Sequence, residues 1–436
     1  MSETSRHDGA GEFTDVALDQ AFAQRLDQED ELASFRDRFH FPRNGEEPVL
    51  YLCGNSLGLQ PRTTRSYVEE LLTSWAERGV EGHFEGERPF APYHEFARDG
   101  LARLVGAEPI EVVAMNSLTV NLHLMLASFY QPQGRRRRMV IERGAFPSDR
   151  YALLSHLQVR GMDPEQDLVE LAPREGEQCL RTEDICAELE SLGDSLATVM
   201  LPGVQYYTGE VYDMASIAET AHRCGATVGF DLAHAIGNIP LALHDWQADY
   251  AVWCSYKYLN SGPGAVAGAF VHERHAHTAL PRFAGWWGHD ASNRFKMGPE
   301  FSATPGADGW QLSNPPVLAL APVLASLEVF DAAGMTRLRE KALRQWSLMY
   351  ALLRNRLGEL VEIITPEQAQ RHGCQLSLRL RGDTAHRRDV FARLAAAHVV
   401  CDWREPDVIR VAAAPLYNRY EDVWRFVEVL HELLQD

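Results

Sequence analysis

The chain has 436 residues, of which 45% are hydrophobic and 24% charged, and its net charge at pH 7 is −19. This composition is typical of a globular protein with a large core, and the charge argues against a nucleic-acid or anionic-membrane partner. Seven scattered cysteines without a CxxC pair suit a reducing cytosol better than a disulfide framework or a zinc site. The start lacks a signal-peptide pattern and no run of about 18 apolar residues occurs, so we expect a cytoplasmic protein without a membrane span.

The order of strand-like and helix-like runs predicts the fold class. Residues 1–47 are polar and form a separate N-terminal segment with helical spacing, and from residue 48 to 316 apolar runs alternate with helical ones. The runs "EVVAM", "RRMVIERG", "DLVEL", "LATVMLPGV" and "ATVGFD" are apolar on both faces, as parallel strands buried between helix layers must be. This alternation predicts an open α/β sheet, in which ligands bind at the carboxyl ends of the strands.

Two other stretches complete the pattern. Pro61 can open a helix, behind which Tyr67, Leu71 and Trp75 recur at helical spacing. Residues 317–436 begin with a long helical stretch that we expect to break at Gly334, and short strands and two further helices follow. They are predicted to form a smaller C-terminal α/β domain.

A lone lysine stands in the apolar segment 253–272, "WCSYKYLNSGPGAVAGAFVH". Lys257 either carries its charge to water at a strand end or serves as a nucleophilic amine, whose neutral form apolar surroundings favour. Asp231 ends the strand-like run "ATVGFD", where an acid either caps a turn or faces the ligand crevice. A carboxylate and an amine over one crevice suit pyridoxal phosphate, because the carboxylate keeps the pyridine nitrogen protonated and the lysine binds the aldehyde.

Two more strand ends carry polar or aromatic residues that suit this cofactor. Asn116, Ser117 and Thr119 stand where a helix begins, so they either cap that helix or bind a phosphate with its free N–H groups. The segment "GAFPSD" places Phe146, an aromatic ring able to stack on a cofactor, near Asp149. Each signal alone is weak, but together they mark successive strand ends around one crevice.

Other features of the sequence bear on competing functions. The segment 54–58, "GNSLG", matches the G-x-S-x-G elbow of serine hydrolases, but Pro61 delays the helix and too few strands precede Ser56. The run "HERHAH" lacks the HExxH pattern, so no metal site is expected. A non-enzymatic anion-binding domain leaves Lys257 in an apolar segment without an explanation.

Several motifs together resemble kynureninase, a family of fold type I pyridoxal-phosphate enzymes. They are "FDLAHA", "SYKYLNSGPG", "GWWGHD", "NRFKMG", "QLSNPP", "GCQLSL" and "IRVAAAPLYN", and the resemblance runs from about residue 48 to the end. It implies a doubly wound, mostly parallel sheet in a large domain, a smaller C-terminal α/β domain and a homodimer with shared active sites.

The resemblance also implies roles for individual residues. Lys257 would be the Schiff-base lysine, Asp231 would pair with the pyridine nitrogen, and Tyr256 would reach the phosphate and assist proton transfer. Phe146 would stack on the ring. The cofactor-binding residues implied in this way are Leu118, Thr119, Phe146, Pro147, Ser148, Asp149, Asp231, His234, Tyr256 and Lys257, with Trp286 and Asn314 from the partner subunit.

The implied substrate site consists of Ser56, His83, Asn314 and Arg410. Arg410 would bind the α-carboxylate of the substrate, a task for which its fork geometry suits it. His83 and Asn314 resemble the residues of animal-type members, which favour the 3-hydroxylated substrate. Pro202 replaces a small hydroxyl residue of the family, so its contact with the cofactor would be by packing alone.

The implied reaction is the hydrolysis of L-kynurenine or L-3-hydroxykynurenine between Cβ and Cγ, which gives L-alanine and anthranilate or 3-hydroxyanthranilate. This step belongs to tryptophan catabolism and to the supply of quinolinate for NAD. Cysteine desulfurases are the alternative, but they need a mobile catalytic cysteine after the lysine. The chain has no cysteine between Cys254 and Cys374, and Cys374 lies in a strand-like run.

Overall fold

The computed structural model describes Phe13 and residues 17–435. Residues 1–12 and 14–16 of the predicted N-terminal segment therefore lie outside the described residues. The described chain forms twelve α-helices: α1 (Gln20–Gln28), α2 (Thr64–Arg78), α3 (Arg98–Val105), α4 (Leu118–Phe129), α5 (Pro147–Val159), α6 (Pro164–Asp167), α7 (Thr182–Leu192), α8 (Met214–Arg223), α9 (Val317–Ala333), α10 (Met335–Leu357), α11 (Thr384–Ala396) and α12 (Tyr420–Gln435).

A seven-stranded sheet forms the centre of the molecule. Its strands are β1 (Val112–Ala114), β2 (Arg138–Glu142), β3 (Leu168–Leu171), β4 (Leu196–Pro202), β5 (Thr227–Asp231), β6 (Tyr250–Trp253) and β7 (Gly268–Val271). The strand order is β1-β7-β6-β5-β4-β2-β3. β7 runs antiparallel to both of its neighbours, and the remaining pairs are parallel. The predicted α/β fold with a mostly parallel sheet is confirmed.

Apolar side chains of this sheet alternate between two cores, one on each face. Val140 of β2 packs in the core that contains residues of α7 and α8, whereas its neighbours Met139 and Ile141 pack with α4 and α5. Because both faces are covered by helices, the strands carry apolar residues on both faces. This explains the runs that predicted a buried parallel sheet.

A second, four-stranded antiparallel sheet has the order β8-β9-β11-β10. Its strands are β8 (Val361–Ile363), β9 (Gln375–Leu380), β10 (Asp402–Arg404) and β11 (Val408–Ala412). Residues of α10, α11 and α12 share its core, as do Ala23 and Leu26 of α1. Helix α1 of the N-terminal segment thus packs with the C-terminal elements, whereas Leu32, Phe35 and Phe39 of the same segment belong to the core of the large sheet.

The helix boundaries confirm one prediction and correct another. α9 ends at Gly334, whose φ of 76° favours glycine, and α10 starts at the next residue at an angle of 80°. The helix predicted to open at Pro61 begins at Thr64 instead, because Pro61 pairs with Phe39 in a two-residue strand.

Among the described residues, no single helix is long and apolar enough to cross a bilayer, although the bent pair α9 and α10 together is long and apolar enough by length and composition.

Candidate active site

The carboxyl ends of β2, β4 and β5 and the segments after β1 and β6 surround a cavity. Nine of the predicted site residues line it, which places them at one edge of the sheet as expected. The lining residues are Leu118, Thr119, Glu142, Phe146, Ser148, Asp149, Pro202, Val204, Tyr206, Asp231, Ala233, His234, Tyr256 and Lys257.

Lys257 reaches into this cavity from the segment after β6. Its Nζ lies 3.0 Å from Nε2 of His234 and 5.9 Å from the ring centroid of Phe146. Burial and the neighbouring Lys257 hold the pKa of His234 well below its usual range, so the imidazole is neutral and its Nε2 can accept a hydrogen bond from the lysine.

The chain contains three lysines, and the other two are engaged elsewhere. Nζ of Lys296 donates to Oδ1 of Asn293 at 2.6 Å on the surface, and buried Lys341 pairs with Asp30 at 2.7 Å. Lys257 is therefore the lysine that a carbonyl cofactor in this cavity would meet.

Two aspartates form the acidic wall of the cavity. Oδ1 of Asp231 accepts a hydrogen bond from the backbone N–H of Ala233 at 2.6 Å. Burial raises the pKa of Asp231, but that N–H group and Lys257 stabilise its ionised form. Burial raises the pKa of Asp149 well above its usual range, and the negative charge of Asp231 raises it further. Asp231 is thus the carboxylate, and Asp149 is the partner that holds a proton.

Two helix N-termini meet at another wall of the cavity. The side chain of Ser117 makes no capping bond at the start of α4, so the capping alternative is wrong for this residue. Oγ1 of Thr119 in α4 and Oγ of Ser148 in α5 lie 2.7 Å apart. Free N–H groups and hydroxyls at helix starts bind phosphate well. Pro147 is the first residue of α5 but does not line the cavity.

These side chains fit pyridoxal phosphate. Lys257 can bond the aldehyde, Asp231 can pair with the ring nitrogen, and the exposed ring of Phe146 can cover a ring face. Buried Nδ1 of His234 and Oδ1 of Asp149 have no hydrogen-bond partner within the described part of the chain. Such atoms at the wall of a cavity call for a polar ligand.

Five other predicted site residues do not line this cavity. Trp286 and Asn314 are exposed in the single chain, which is compatible with their prediction as partner-subunit residues. His83 lines a separate apolar cavity. Ser56 is half-buried outside the lining, and Arg410 is fully buried behind it.

The segment "GNSLG" packs on the lysine segment and does not form a nucleophile elbow. The N–H of Gly58 donates to the carbonyl of Tyr256 at 2.8 Å. A Cβ at position 58 would lie 2.3 Å from the backbone oxygen of Lys257. Gly58 is therefore needed for close backbone approach, and Ser56 lies in a turn that no helix follows directly.

Sequence reasoning missed a third carboxyl group in the cavity. Glu142 is the last residue of β2, 3% exposed, and its Oε2 has no hydrogen-bond partner among the residues described. The run "RRMVIE" carried the signal, because an acid that ends a buried parallel strand faces the crevice, as Asp231 does. Burial raises the pKa of the Glu142 carboxyl to about 8, and the negative charge of Asp231 adds to the shift.

A cluster of possible metal ligands lies outside this cavity. Oε1 of Glu111 is 3.0 Å from Nδ1 of His244 and 3.5 Å from Nδ1 of His272. That oxygen accepts the N–H of Glu273 and Oε2 accepts the N–H of Glu108, both at 2.8 Å. The cluster is thus tied to two local turns, and the expectation of no metal stays a prediction.

Solved structures of other proteins share the fold. The cystine C-S lyase C-DES has a TM-score of 0.74 at 17% identity, with 89% of this chain and 98% of the lyase covered. The cysteine desulfurase CsdA from Escherichia coli also has a TM-score of 0.74 at 17% identity, with 93% of this chain and 98% of the desulfurase covered. A C-DES variant has been solved with glycine covalently linked to its PLP cofactor.

Similarity to curated sequences is far higher. The kynureninase of Xanthomonas oryzae pv. oryzae (strain PXO99A) is 55% identical over 415 residues, which cover 95% of this chain and 98% of the relative. The kynureninase of Myxococcus xanthus (strain DK1622) is 55% identical over 414 residues, which cover 94% of this chain and 96% of the relative. The chain belongs to the kynureninase family. A family model described as the kynureninase C-terminal domain matches residues 338–430.

Membership in the kynureninase family confirms several predictions. The enzyme class is a PLP-dependent hydrolase that acts on carbon–carbon bonds, and the fold is that of PLP-dependent enzymes. The desulfurases resemble this chain in fold alone, whereas the kynureninases resemble it in sequence over nearly the whole chain. The roles of individual site residues stay predictions.

The buried Glu142 should make stability depend on pH. In the folded chain its carboxyl keeps a proton up to about pH 8, whereas the carboxyl of an ordinary glutamate loses its proton near pH 4.5. A group with a raised folded-state pKa favours the folded state at low pH, and this contribution is lost as the pH rises through that window. We expect Glu142→Gln, which is neutral throughout, to lose less stability than the natural protein between pH 5 and pH 8.

The measurement is the Tm of each protein at several pH values across that window. The matched control is Glu77→Gln, whose side chain is 65% exposed on α2 and which should leave the pH dependence unchanged. Equal loss of Tm in the natural protein and in Glu142→Gln would show that Glu142 does not hold a proton.

Proposed function

We propose that this protein hydrolyses L-kynurenine and L-3-hydroxykynurenine between Cβ and Cγ, with pyridoxal phosphate bound to Lys257. The products are L-alanine and anthranilate or 3-hydroxyanthranilate, a step of tryptophan catabolism that can also supply quinolinate for NAD. The observation that supports this most is the meeting of Lys257 and Asp231 in one cavity of a chain that is 55% identical to kynureninases. The seven cysteines are free thiols, which suits the proposed cytoplasmic location.

The residues around the cavity would hold the cofactor in one orientation. Asp231 would keep a proton on the ring nitrogen, and Phe146 would stack on the ring. The hydroxyls of Thr119 and Ser148 and the first N–H groups of α4 would bind the phosphate. When bound, the cofactor supplies an electron sink for the charge that develops at the substrate Cα.

Proton transfer would fall to Lys257 and its neighbours. Its Nζ would remove the proton from the substrate Cα, and neutral His234 at 3.0 Å can accept a hydrogen bond from that nitrogen. The ring centroid of Tyr256 lies 6.0 Å from Nζ, and burial raises the pKa of its phenol, which keeps the proton there. Overall, the hydroxyl of one water ends on the aryl carbonyl carbon and a proton ends on Cβ.

We also propose a homodimer with shared active sites. Trp286 and Asn314 lie outside the cavity of their own chain, and both are exposed. Trp75 of α2 is 62% exposed and lines the apolar cavity beside His83 and Val317. Large exposed apolar surfaces of this kind mark interaction sites. A second copy would cover them and bring Trp286 and Asn314 to the partner's cavity.

Product analysis tests the proposed activity. The PLP-loaded protein should convert kynurenine to equal amounts of alanine and anthranilate, and 3-hydroxykynurenine to alanine and 3-hydroxyanthranilate. The alternative activity of the shared fold is tested in parallel with cysteine as substrate. Release of sulfide from cysteine without alanine from kynurenine would overturn the proposal.

The choice between the two substrates should depend on His83 and Asn314. A buried ring hydroxyl needs a hydrogen-bond partner, and a site built to supply one disfavours the analogue without the hydroxyl. We expect the natural protein to have a higher kcat/KM for 3-hydroxykynurenine than for kynurenine. The ratio should fall or invert when His83→Phe and Asn314→Thr are combined.

The matched control for the double variant is Phe84→Leu, next to His83 but without a polar atom. It should leave the ratio of the two kcat/KM values unchanged. A natural protein that prefers plain kynurenine would refute this specificity proposal and leave the proposed reaction intact.

A further inference from the structure

The guanidinium of Arg410 is already bonded inside the protein. Asp402 in β10 lies directly opposite Arg410 in β11. Nε of Arg410 donates to Oδ1 of Asp402 at 2.7 Å, and Nη2 donates to Oδ2 of the same carboxylate. Nη1 donates to the backbone carbonyl of Tyr206 at 2.7 Å. Because Arg410 is fully buried, these three bonds fix the plane and the direction of its guanidinium.

Two N–H groups of this guanidinium have no bond to the described residues. A guanidinium has five N–H groups, and three are used by Asp402 and Tyr206. One N–H remains on Nη1 and one on Nη2. A carboxylate could therefore be bound only at the Nη1–Nη2 edge, because Asp402 occupies the Nε–Nη2 edge.

Tyr206 connects this arginine to the cofactor cavity. Tyr206 lines the cavity, and its ring packs edge-to-face on Phe146 with the centroids 5.4 Å apart. Arg410 thus lies behind the cavity wall and is bonded to a residue of its lining.

The charges behind this wall favour an anion. Arg404 also donates to Oδ2 of Asp402, with Nη2 at 3.1 Å. Asp402 therefore faces two arginines, and one positive charge is left without a partner in this cluster. A substrate carboxylate would supply the missing negative charge, because buried charges need partners.

We propose that Asp402 is a positioning residue for the substrate α-carboxylate: it holds Arg410 by the Nε–Nη2 edge and leaves the Nη1–Nη2 edge for the substrate. This inference rests on the proposed function of Arg410. It gives Asp402 an effect on substrate binding that a carboxylate with a purely structural role would not have. If Asp402 only neutralised charge, its removal would make the net charge around Arg410 more positive and would strengthen carboxylate binding.

The test replaces Asp402 by asparagine, which keeps the shape and removes the charge. We expect the KM for kynurenine to rise about tenfold or more, with kcat changed by less than about threefold, because a displaced binding group weakens a well-oriented contact. The Kd of L-alanine, followed by the absorbance of the bound cofactor, should rise in parallel. The Kd of L-alaninamide, which has no carboxylate, should stay unchanged.

The matched control is Asp407→Asn. Asp407 also pairs with two arginines, Arg379 and Arg387, at 2.8 and 2.9 Å, but neither of these is bonded to a residue of the cavity lining, as Arg410 is to Tyr206. Its removal should leave KM and the Kd of alanine unchanged. If Asp402→Asn does not fold, Asp402→Glu is the second variant, because its longer side chain keeps the charge but shifts the guanidinium of Arg410. We expect the KM for kynurenine to rise about threefold or more in this variant.

Further outcomes separate this inference from the proposed role of Arg410. An unchanged KM in Arg410→Met would contradict the proposed role of Arg410 itself. A raised KM in Arg410→Met together with an unchanged or lowered KM in Asp402→Asn would overturn the positioning role alone. An equal effect of Asp402→Asn on alanine and alaninamide would also overturn it, because the effect would then not concern the carboxylate.

Discussion

Replacing Lys257 by alanine is expected to abolish the yellow colour of the PLP-loaded protein and to lower turnover at least about a thousandfold. The amine is the only lysine nitrogen in the cavity, and it is also the group placed to move the proton at the substrate Cα. Both the covalent attachment of the cofactor and the proton transfer are therefore lost together. The measurement is the visible absorbance spectrum combined with the rate of alanine formation from kynurenine.

Two variants make this result specific. Lys257→Arg keeps the positive charge but cannot bond the aldehyde, so it should be as inactive as Lys257→Ala. Lys296→Ala removes a surface lysine that donates to Asn293, and it should leave both colour and rate unchanged. Substantial turnover in Lys257→Ala would contradict the assignment of this residue.

Asp231→Asn is expected to lower kcat by at least about a hundredfold, comparable to the loss of a positioned electrostatic group. The amide keeps the shape of the side chain and can still accept the N–H of Ala233, but it removes the negative charge. Without that charge the ring nitrogen of the cofactor would lose its proton, and the ring would withdraw electrons less effectively. Steady-state rates with saturating cofactor measure the effect.

The neighbouring Asp149 provides the matched comparison. Its carboxyl holds a proton in the folded chain, so Asp149→Asn replaces one neutral donor by another and should cost clearly less than Asp231→Asn. Near-normal turnover in Asp231→Asn, or a larger loss in Asp149→Asn, would reverse the assignment of the two acids.

Much of the fold could be predicted because its signals are local. The apolar runs of the large sheet follow from the burial of both faces, and the break between α9 and α10 follows from the backbone freedom of Gly334. The predicted start of α2 is wrong by three residues, because Pro61 pairs with Phe39 in a short strand. Phe39 is distant in sequence, so the residues around Pro61 do not reveal this pairing. The order of the strands also depends on such distant contacts.

The site was predictable where its residues follow strand ends. Asp231, Phe146 and Lys257 occupy such positions, and the structure brings them to one cavity. Glu142 was missed although it ends a strand in the same way, because a charged residue after a basic run suggests a solvated position. The bonding of Arg410 to Asp402 could not be predicted, because it depends on the antiparallel register of β10 and β11.

Borohydride reduction of the PLP-loaded natural protein, followed by peptide mapping, tests the central claim most directly. The chain offers only Lys257, Lys296 and Lys341 as side-chain attachment points, so the position of the label is unambiguous. The account predicts one pyridoxyl group per chain, on the peptide that contains Lys257. A label on Lys296 or Lys341, or no label in a protein that still forms alanine from kynurenine, would contradict it.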